Sequence, residues 1–293
     1  MQFDYKSKFN YYYDFCNKTL EEFFSKLDKN APSIITEAMR YSVFNGGKRI
    51  RAILCLAAAD ILSIPLDSVK EYIVAIECIH AYSLVHDDLP AMDNDDYRRG
   101  KLSTHKKFGE ANGILTGDAL LNFAFEVCLN KPTFSSLDAK ALYRLANLAG
   151  YSGMIAGQVY DLESENNKLN DEKTLFDIII NKTAKLITAP LLISSSLAND
   201  LYVEELTEFG KHLGMLFQIV DDIMDVEGTL ESIGKTPHKD EQDDKLTSVK
   251  FYGIDGAKKR AEDHYHKCLN TLSLIPNSQF LVSLTEQMYL RRK

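Results

Sequence analysis

Residues 201–226 read LYVEELTEFGKHLGMLFQIVDDIMDV, and their periodicity decides the fold. Phe209, Leu213, Leu216, Phe217, Val220 and Met224 recur every three or four positions, the period of an α-helix that buries one face. Polar residues close the run: Gln218 and the acids Asp221, Asp222 and Asp225 fall at i, i+3, i+4 and i+7. That spacing sets Gln218, Asp221 and Asp225 along one face, bordering the apolar stripe. Outward from this helix the same period recurs almost everywhere. Leu20, Phe23, Phe24 and Leu27 mark a first helix. Asn45-Gly46-Gly47 punctuates before a run over 48–63, which Pro65 ends. Residues 66–89 predict a longer helix, stopped or kinked where Pro90 drives Leu89 away from α geometry. Helices follow over 108–129, 137–150 and 153–163, then over 171–198 with a bend at Pro190, and two more over 255–274 and 279–291. Residues 227–245 are polar with Gly and Pro and predict a loop. No strand alternation stands out. The expected class is all-α: one domain over residues 1–293, a bundle of long antiparallel helices.

Composition narrows the function. A formal net charge of −8 argues against nucleic acid, whose binding rests on Lys and Arg contacts to phosphate. Fifteen Gly and seven Pro are few for 293 residues, which suits long helices, and no linker divides the chain. Cys16, Cys55, Cys78, Cys128 and Cys268 are odd in number and lack CxxC spacing, so they read as free thiols of a reducing compartment. No signal peptide opens the chain, and runs such as 52–59 fall far short of the ~20 apolar residues that span a bilayer. A cytoplasmic protein without a membrane span is expected.

A second acid-rich stretch, His86-Asp87-Asp88-Leu89-Pro90-Ala91-Met92-Asp93, also ends an apolar helical run. Burying an unpaired carboxylate costs several kcal/mol or more, and a helix C-terminus adds an unfavourable dipole. Two such motifs point to a strong cation held between them. Magnesium, which takes oxygen ligands and bridges carboxylates to phosphates, is the natural candidate. A solvated acidic face is the alternative, above all for Asp93-Asn94-Asp95-Asp96. An EF-hand starting at Asp93 fails, because Arg98 and Thr104 stand where Gly and Glu are needed. Cations are grouped as well. Gly46-Gly47-Lys48-Arg49-Ile50-Arg51 is expected to open a helix whose free N–H groups favour an anion, with Lys48 and Arg51 pointing the same way. Arg98-Arg99 offers forks suited to phosphate. No GxxxxGK[ST] P-loop is present.

Several long stretches together resemble the trans-isoprenyl diphosphate synthases, and among them the bacterial-type farnesyl diphosphate synthases. They are residues 80–93 with Arg98-Arg99-Gly100, Gly46 to Arg51, Lys106 with Phe108-Gly109-Glu110-Ala111-Asn112, Gly117-Asp118-Ala119-Leu120, Gly157-Gln158 with Asp161-Leu162, Lys182-Thr183, Phe217-Gln218 with Asp221-Asp222-Ile223, and Gly234-Lys235. The resemblance spans essentially the whole chain. It implies an isoprenoid synthase fold, helices around a deep central cavity, and a homodimer. It implies three Mg²⁺ held by Asp87, Asp93 and Asp221, with Asp88, Asp222 and Asp225 as supporting or water-mediated ligands. Lys48, Arg51, His80 and Arg99 would bind the diphosphate of isopentenyl diphosphate. Arg98, Lys182, Thr183, Gln218, Lys235 and Lys245 would surround the allylic substrate, dimethylallyl or geranyl diphosphate. Asp87, Asp88, Asp93, Lys182 and Asp221 would carry catalysis.

Departures from the family pattern lie in the loop after Lys235. Thr236-Pro237-His238-Lys239-Asp240 lacks the usual Gly before the Asp, and Ser248-Val249 stands where Tyr-Pro is common. Tyr82 lies five residues before Asp87, ~7.5 Å down a helix, and with Ser83 would limit chain length, favouring the fifteen-carbon product. Competing readings are a geranylgeranyl diphosphate synthase, a terpene cyclase and a non-catalytic regulatory partner that retains the fold.

Overall fold

The computed structural model describes residues 3–167, 169–227 and 245–291. Thirteen α-helices follow one another within those residues: α1 Tyr5–Phe24, α2 Ser33–Val43, α3 Ile50–Ile61, α4 Lys70–Asp87, α5 Thr104–Phe108, α6 Glu110–Leu129, α7 Ser136–Ala149, α8 Met154–Asn167, α9 Glu172–Ile178, α10 Lys185–Leu197, α11 Val203–Glu227, α12 Ser248–Leu272 and α13 Gln279–Leu290. The expected all-α class holds. One small exception is an antiparallel ribbon, β1 Tyr97–Arg98 with β2 Lys101–Leu102, too short for alternation to reveal.

α3, α4 and α10 form the centre. α10 is buried from Leu186 to Ser196, and Ala52 to Ala59 of α3 are buried without a break, so neither shows a polar face. α10 packs on α3, α7 and α11; α4 packs on α6, and α11 lies along α12. Local chemistry sets the ends. Asp4 caps α1 through the Ser7 amide at 3.2 Å, and Ser135 with Asp138 forms a capping box at α7.

Several boundaries depart from the sequence expectation. α1 begins at Tyr5, because Tyr12 and Cys16 are buried as well as Leu20. α2 was not anticipated: it buries only Ala38, Met39 and Val43, a narrow stripe. α4 starts after a 3₁₀ turn, Leu66–Val69, and stops at Asp87, two residues short of the proposed end. Gly109, with φ +90°, separates α5 from α6. Pro190 sits inside α10, and the break in the 171–198 segment falls earlier, at a π-helical turn, Ile179–Ala184. Two glycines let neighbours press against that turn. A Cβ on Gly157 would lie 2.0 Å from the Lys182 nitrogen, and one on Gly214 would lie 2.3 Å from Ala184 Cα. The expected 227–245 loop, Lys235 included, lies outside the described residues apart from its two ends.

Candidate active site

α4 ends where the first acid motif begins. Asp87 is its last residue and Asp88 its C-cap. The chain then folds back over the helix end: Asp93 N donates to Asp87 O at 2.9 Å, Asp95 N to Asp88 O at 3.1 Å, and Asn94 N to Leu89 O at 3.1 Å. These bonds satisfy carbonyls that a helix C-terminus leaves open and bring Asp93 beside Asp87. Burial, with Asp93 adding, pushes the Asp87 carboxyl up to about 6 against the pull of Lys182. Asp93 meets the Lys245 ammonium at 3.0 Å. Burial opposes the Lys245 charge, yet Asp93, Asp161 and Glu165 outweigh it and hold the ammonium above its usual range. Asp88 turns aside to Arg98, whose Nε donates to its Oδ1 at 2.9 Å. It is 2% exposed, and burial keeps it raised despite that arginine.

The second motif sits in the last turns of α11. Asp221 faces an open cavity, whereas Asp222 and Asp225 are buried. Gln218 Nε2 donates to Asp222 Oδ1 at 2.9 Å, and the Ser248 amide donates to Asp222 Oδ2 at 2.8 Å. Thr183 Oγ1 completes this line by donating to Gln218 Oε1 at 2.8 Å. Asp222 thereby joins the π turn to the start of α12. Lys182, in the same turn, pairs with Asp161 of α8 at 2.6 Å. Burial works against its charge, but Asp161 and Asp87 keep it protonated.

Two adjoining cavities meet at this place. One of about 940 Å³ is lined by Asp87, Asp221, Arg98, Lys182, Thr183 and Gln218, together with Tyr82, Ser83, Leu121 and Met154. The other, about 970 Å³, is lined by Gly46, Gly47, Lys48, Arg51, His80 and Arg99. Arg51, His80, Arg99, Phe217, Asp221 and Arg291 line both. Acids with cations on one side, and on the other a lining in which Lys48, Arg49, Arg51, Arg99 and Arg291 outnumber Glu77 and Asp221, make a pair of anion sites sharing a wall. Burial, reinforced by Arg51, drives the His80 imidazolium far below its ordinary range, so His80 is neutral at pH 7. The Arg51 guanidinium is brought down to about 10 by burial and remains charged.

Most of the expected residues therefore converge, though one reason given for it fails. Lys48 lies two residues before α3, and Arg49 between them is left-handed at φ 55°. Lys48 and Arg51 share a cavity through a bend in the strap, not through helical spacing. Tyr82 is 6% exposed and its ring meets His86 edge-on at 5.8 Å. Ser83 Oγ is turned to His80 O at 2.9 Å. Sequence reasoning missed Arg291, which reaches within 3.8 Å of Asp221 from the end of α13. A basic residue following an apolar helical stripe was its only signal. It also assigned no role to Asp161, the partner of Lys182.

Among the described residues, no three acidic, His or Cys side chains gather into a ready-made metal cage. Magnesium does not need one: it keeps waters and substrate phosphates and takes one or two protein carboxylates. Asp87 and Asp93 at one end and Asp221 at the other are oxygen donors of that kind, and a carboxyl raised by burial gains from a nearby cation. The residues fit a hard divalent ion.

A family model described as polyprenyl synthetase matches residues 32–274. The chain belongs to that family. A farnesyl diphosphate synthase of Micrococcus luteus is 41% identical over 283 residues, 96% of this chain and 97% of the relative. A chloroplastic geranylgeranyl pyrophosphate synthase of Capsicum annuum is 41% identical over 251 residues, 84% of this chain and 67% of that one. A solved geranyltransferase from Helicobacter pylori, complexed with magnesium and isoprenyl diphosphate, superimposes with a TM-score of 0.81 at 33% identity, covering 97% of this chain and 96% of that chain.

Proposed function

We propose that the chain condenses dimethylallyl or geranyl diphosphate with isopentenyl diphosphate, head to tail, to make farnesyl diphosphate. The observation that carries this reading is the pair of adjoining cavities, one mixed acid and base, one predominantly basic, sharing Arg51, His80, Arg99 and Asp221. A terpene cyclase has no use for the basic cavity, and a non-catalytic partner has no use for either. The tail cavity, with Tyr82 in its lining, favours a fifteen-carbon product over geranylgeranyl diphosphate.

Asp87, Asp93 and Asp221 would hold Mg²⁺, three ions with Asp88, Asp222 and Asp225 in support. When bound, the metal neutralises charge on a departing diphosphate. Arg98, Lys182 and Lys245 add positive charge on the allylic side, and Lys235 is assigned there by its motif alone. Thr183 and Gln218 border the carbon that becomes cationic, and their oxygens offer negative ends to it. Lys48, Arg51 and Arg99 grip the second diphosphate, while neutral His80 contributes a hydrogen bond. Gripped so, the alkene lies next to the allylic carbon: the allylic C–O bond breaks, a C–C bond forms, and a proton is lost to the released pyrophosphate. Leu121, Met154, Leu186 and Phe217 line the space around the prenyl chain and exclude water from the cation.

Exposed Ile114 and Leu115 of α6 and Ile155 and Val159 of α8 support a homodimer. No helix among the described residues is long and apolar enough to cross a membrane. All five thiols are buried and unpaired, which suits the cytoplasm. Incubation with Mg²⁺, geranyl diphosphate and isopentenyl diphosphate should release farnesyl diphosphate and pyrophosphate in equal amounts. Farnesyl diphosphate alone should yield no hydrocarbon. A hydrocarbon there, or no condensation product, overturns the reading.

A further inference from the structure

We infer that Glu77, buried in the middle of α4, is a positioning residue for the isopentenyl diphosphate site, acting through Arg49. The inference rests on the proposed function and deepens it. The strap Gly46-Gly47-Lys48-Arg49 lines the basic cavity and holds three of its four residues at positive φ: Gly46 at +82°, Gly47 at +112° and Arg49 at +55°. Glycines adopt such angles freely. An arginine does not, and it holds one only where its surroundings compel it.

Two clamps do so, one on each side of Lys48. On the glycine side, Arg99 Nη1 donates to Gly46 O, and its guanidinium fills the space where a Cβ on Gly47 would stand, 2.6 Å away. On the other side, Arg49 acts as N-cap of α3 without any side-chain cap, its carbonyl accepting from Ile53 N at 2.9 Å. Its guanidinium turns inward instead. Nη1 donates to Glu77 Oε2 at 2.9 Å and Nε to Asn17 Oδ1 at 3.2 Å. Both members of the ion pair are almost sealed from solvent, at 6% and 4% side-chain exposure. α1, α3 and α4 are thus stapled at the point where Lys48 leaves the strap.

Charge gives Glu77 a second reason to be there. Lys48, Arg51 and Arg99 line the same cavity, and burial depresses the charge of each. Glu77 is the carboxylate that favours the charged forms of both Arg51 and Arg99. Itself part of the cavity lining, Glu77 supplies counter-charge to a wall that Lys48, Arg51 and Arg99 keep predominantly basic.

Removing a buried charge partner from Arg49 also threatens folding, so the test uses Glu77→Gln, Arg49→Met and the double variant, which leaves no orphan charge. Steady-state kinetics with Mg²⁺ would give KM separately for the two substrates. Calorimetric titration with isopentenyl diphosphate alone adds a readout independent of turnover. In all three variants, KM and Kd for isopentenyl diphosphate should rise about tenfold or more, the scale of one charge-assisted hydrogen bond. KM for geranyl diphosphate should stay within about twofold. A double variant whose isopentenyl diphosphate KM returns to the parent value would make the pair a structural staple only and overturn the inference. So would equal rises for both substrates. If the parent itself bound no isopentenyl diphosphate, the proposed function would be at fault instead.

Discussion

The two Asp-Asp motifs are spelled alike and used differently. At the end of α4, Asp88 is taken by Arg98 and Asp93 by Lys245, while Asp87 remains on the cavity wall. At the end of α11, Asp222 accepts from the Gln218 amide and the Ser248 backbone, while Asp221 remains on the wall. In each pair the first aspartate faces the cavity and the second fastens neighbouring structure. The first motif fastens a β-ribbon by an ion pair; the second fastens a helix N-terminus by neutral donors. A shared spelling therefore marks a shared location, and the partner of each oxygen assigns the role.

The largest effect should come from the wall-facing pair. Asp87→Ala and Asp221→Ala, each alone, should lower kcat by about 10³-fold, the scale of losing a charge-stabilising group at the reacting centre. Circular dichroism should show an intact fold. Rates near the parent's in either would break the comparison. Asp222→Ala should behave otherwise: a loss of about 1–3 kcal/mol in urea unfolding, because the Ser248 and Gln218 donors lose their acceptor, with a kcat loss of about tenfold. A loss in kcat as deep as that of Asp221→Ala would erase the distinction between wall and fastener.

The opposite half of α11 gives a control unrelated to the site. His212 Nδ1 and His264 Nδ1 are 3.1 Å apart between α11 and α12. Burial, with His212, Lys267 and Arg260 adding, holds His264 down to about 4. The unfolded chain binds that proton near pH 6.5 and the folded chain refuses it, so this contribution falls as pH drops through that window. Between pH 7 and 5 the loss is about 2 kcal/mol, and His264→Gln should remove it. Asp87, raised to about 6, works in the other direction, so the difference between parent and variant is the quantity to read. Equal pH slopes would count against the His264 assignment. Smallest in rate, Tyr82→Ala should leave turnover nearly intact while shifting product toward twenty carbons; an unchanged product from active enzyme would remove Tyr82 as the floor of the tail cavity.

Long amphipathic helices were legible because burial on one face writes a 3.6-residue period, as in α11. α2 was not, since three buried residues write almost none. The two acid motifs were legible because carboxylates at helix ends beside apolar runs are costly without a cation. Their division of labour was not: Asp88 and Asp222 find partners 10 and 26 residues along the chain, at Arg98 and Ser248. The Lys48–Arg51 pairing was reached by assuming a helix that Arg49 interrupts. The π turn that presents Lys182 and Thr183 depends on Gly157 and Gly214 of other helices, a tertiary effect no local pattern records.

The central claim is that Asp87 and Asp221, from two distant helices, jointly hold Mg²⁺ against an allylic diphosphate. Product chromatography with geranyl and isopentenyl diphosphates tests it most directly, in Mg²⁺, after chelation, and after Mg²⁺ is restored. The account predicts farnesyl diphosphate in the first, none in the second and recovery in the third for the parent, with Asp87→Ala and Asp221→Ala about 10³-fold slower than the parent in Mg²⁺. Product formation that persists under chelator, or at near-parent rates in both variants, would contradict it.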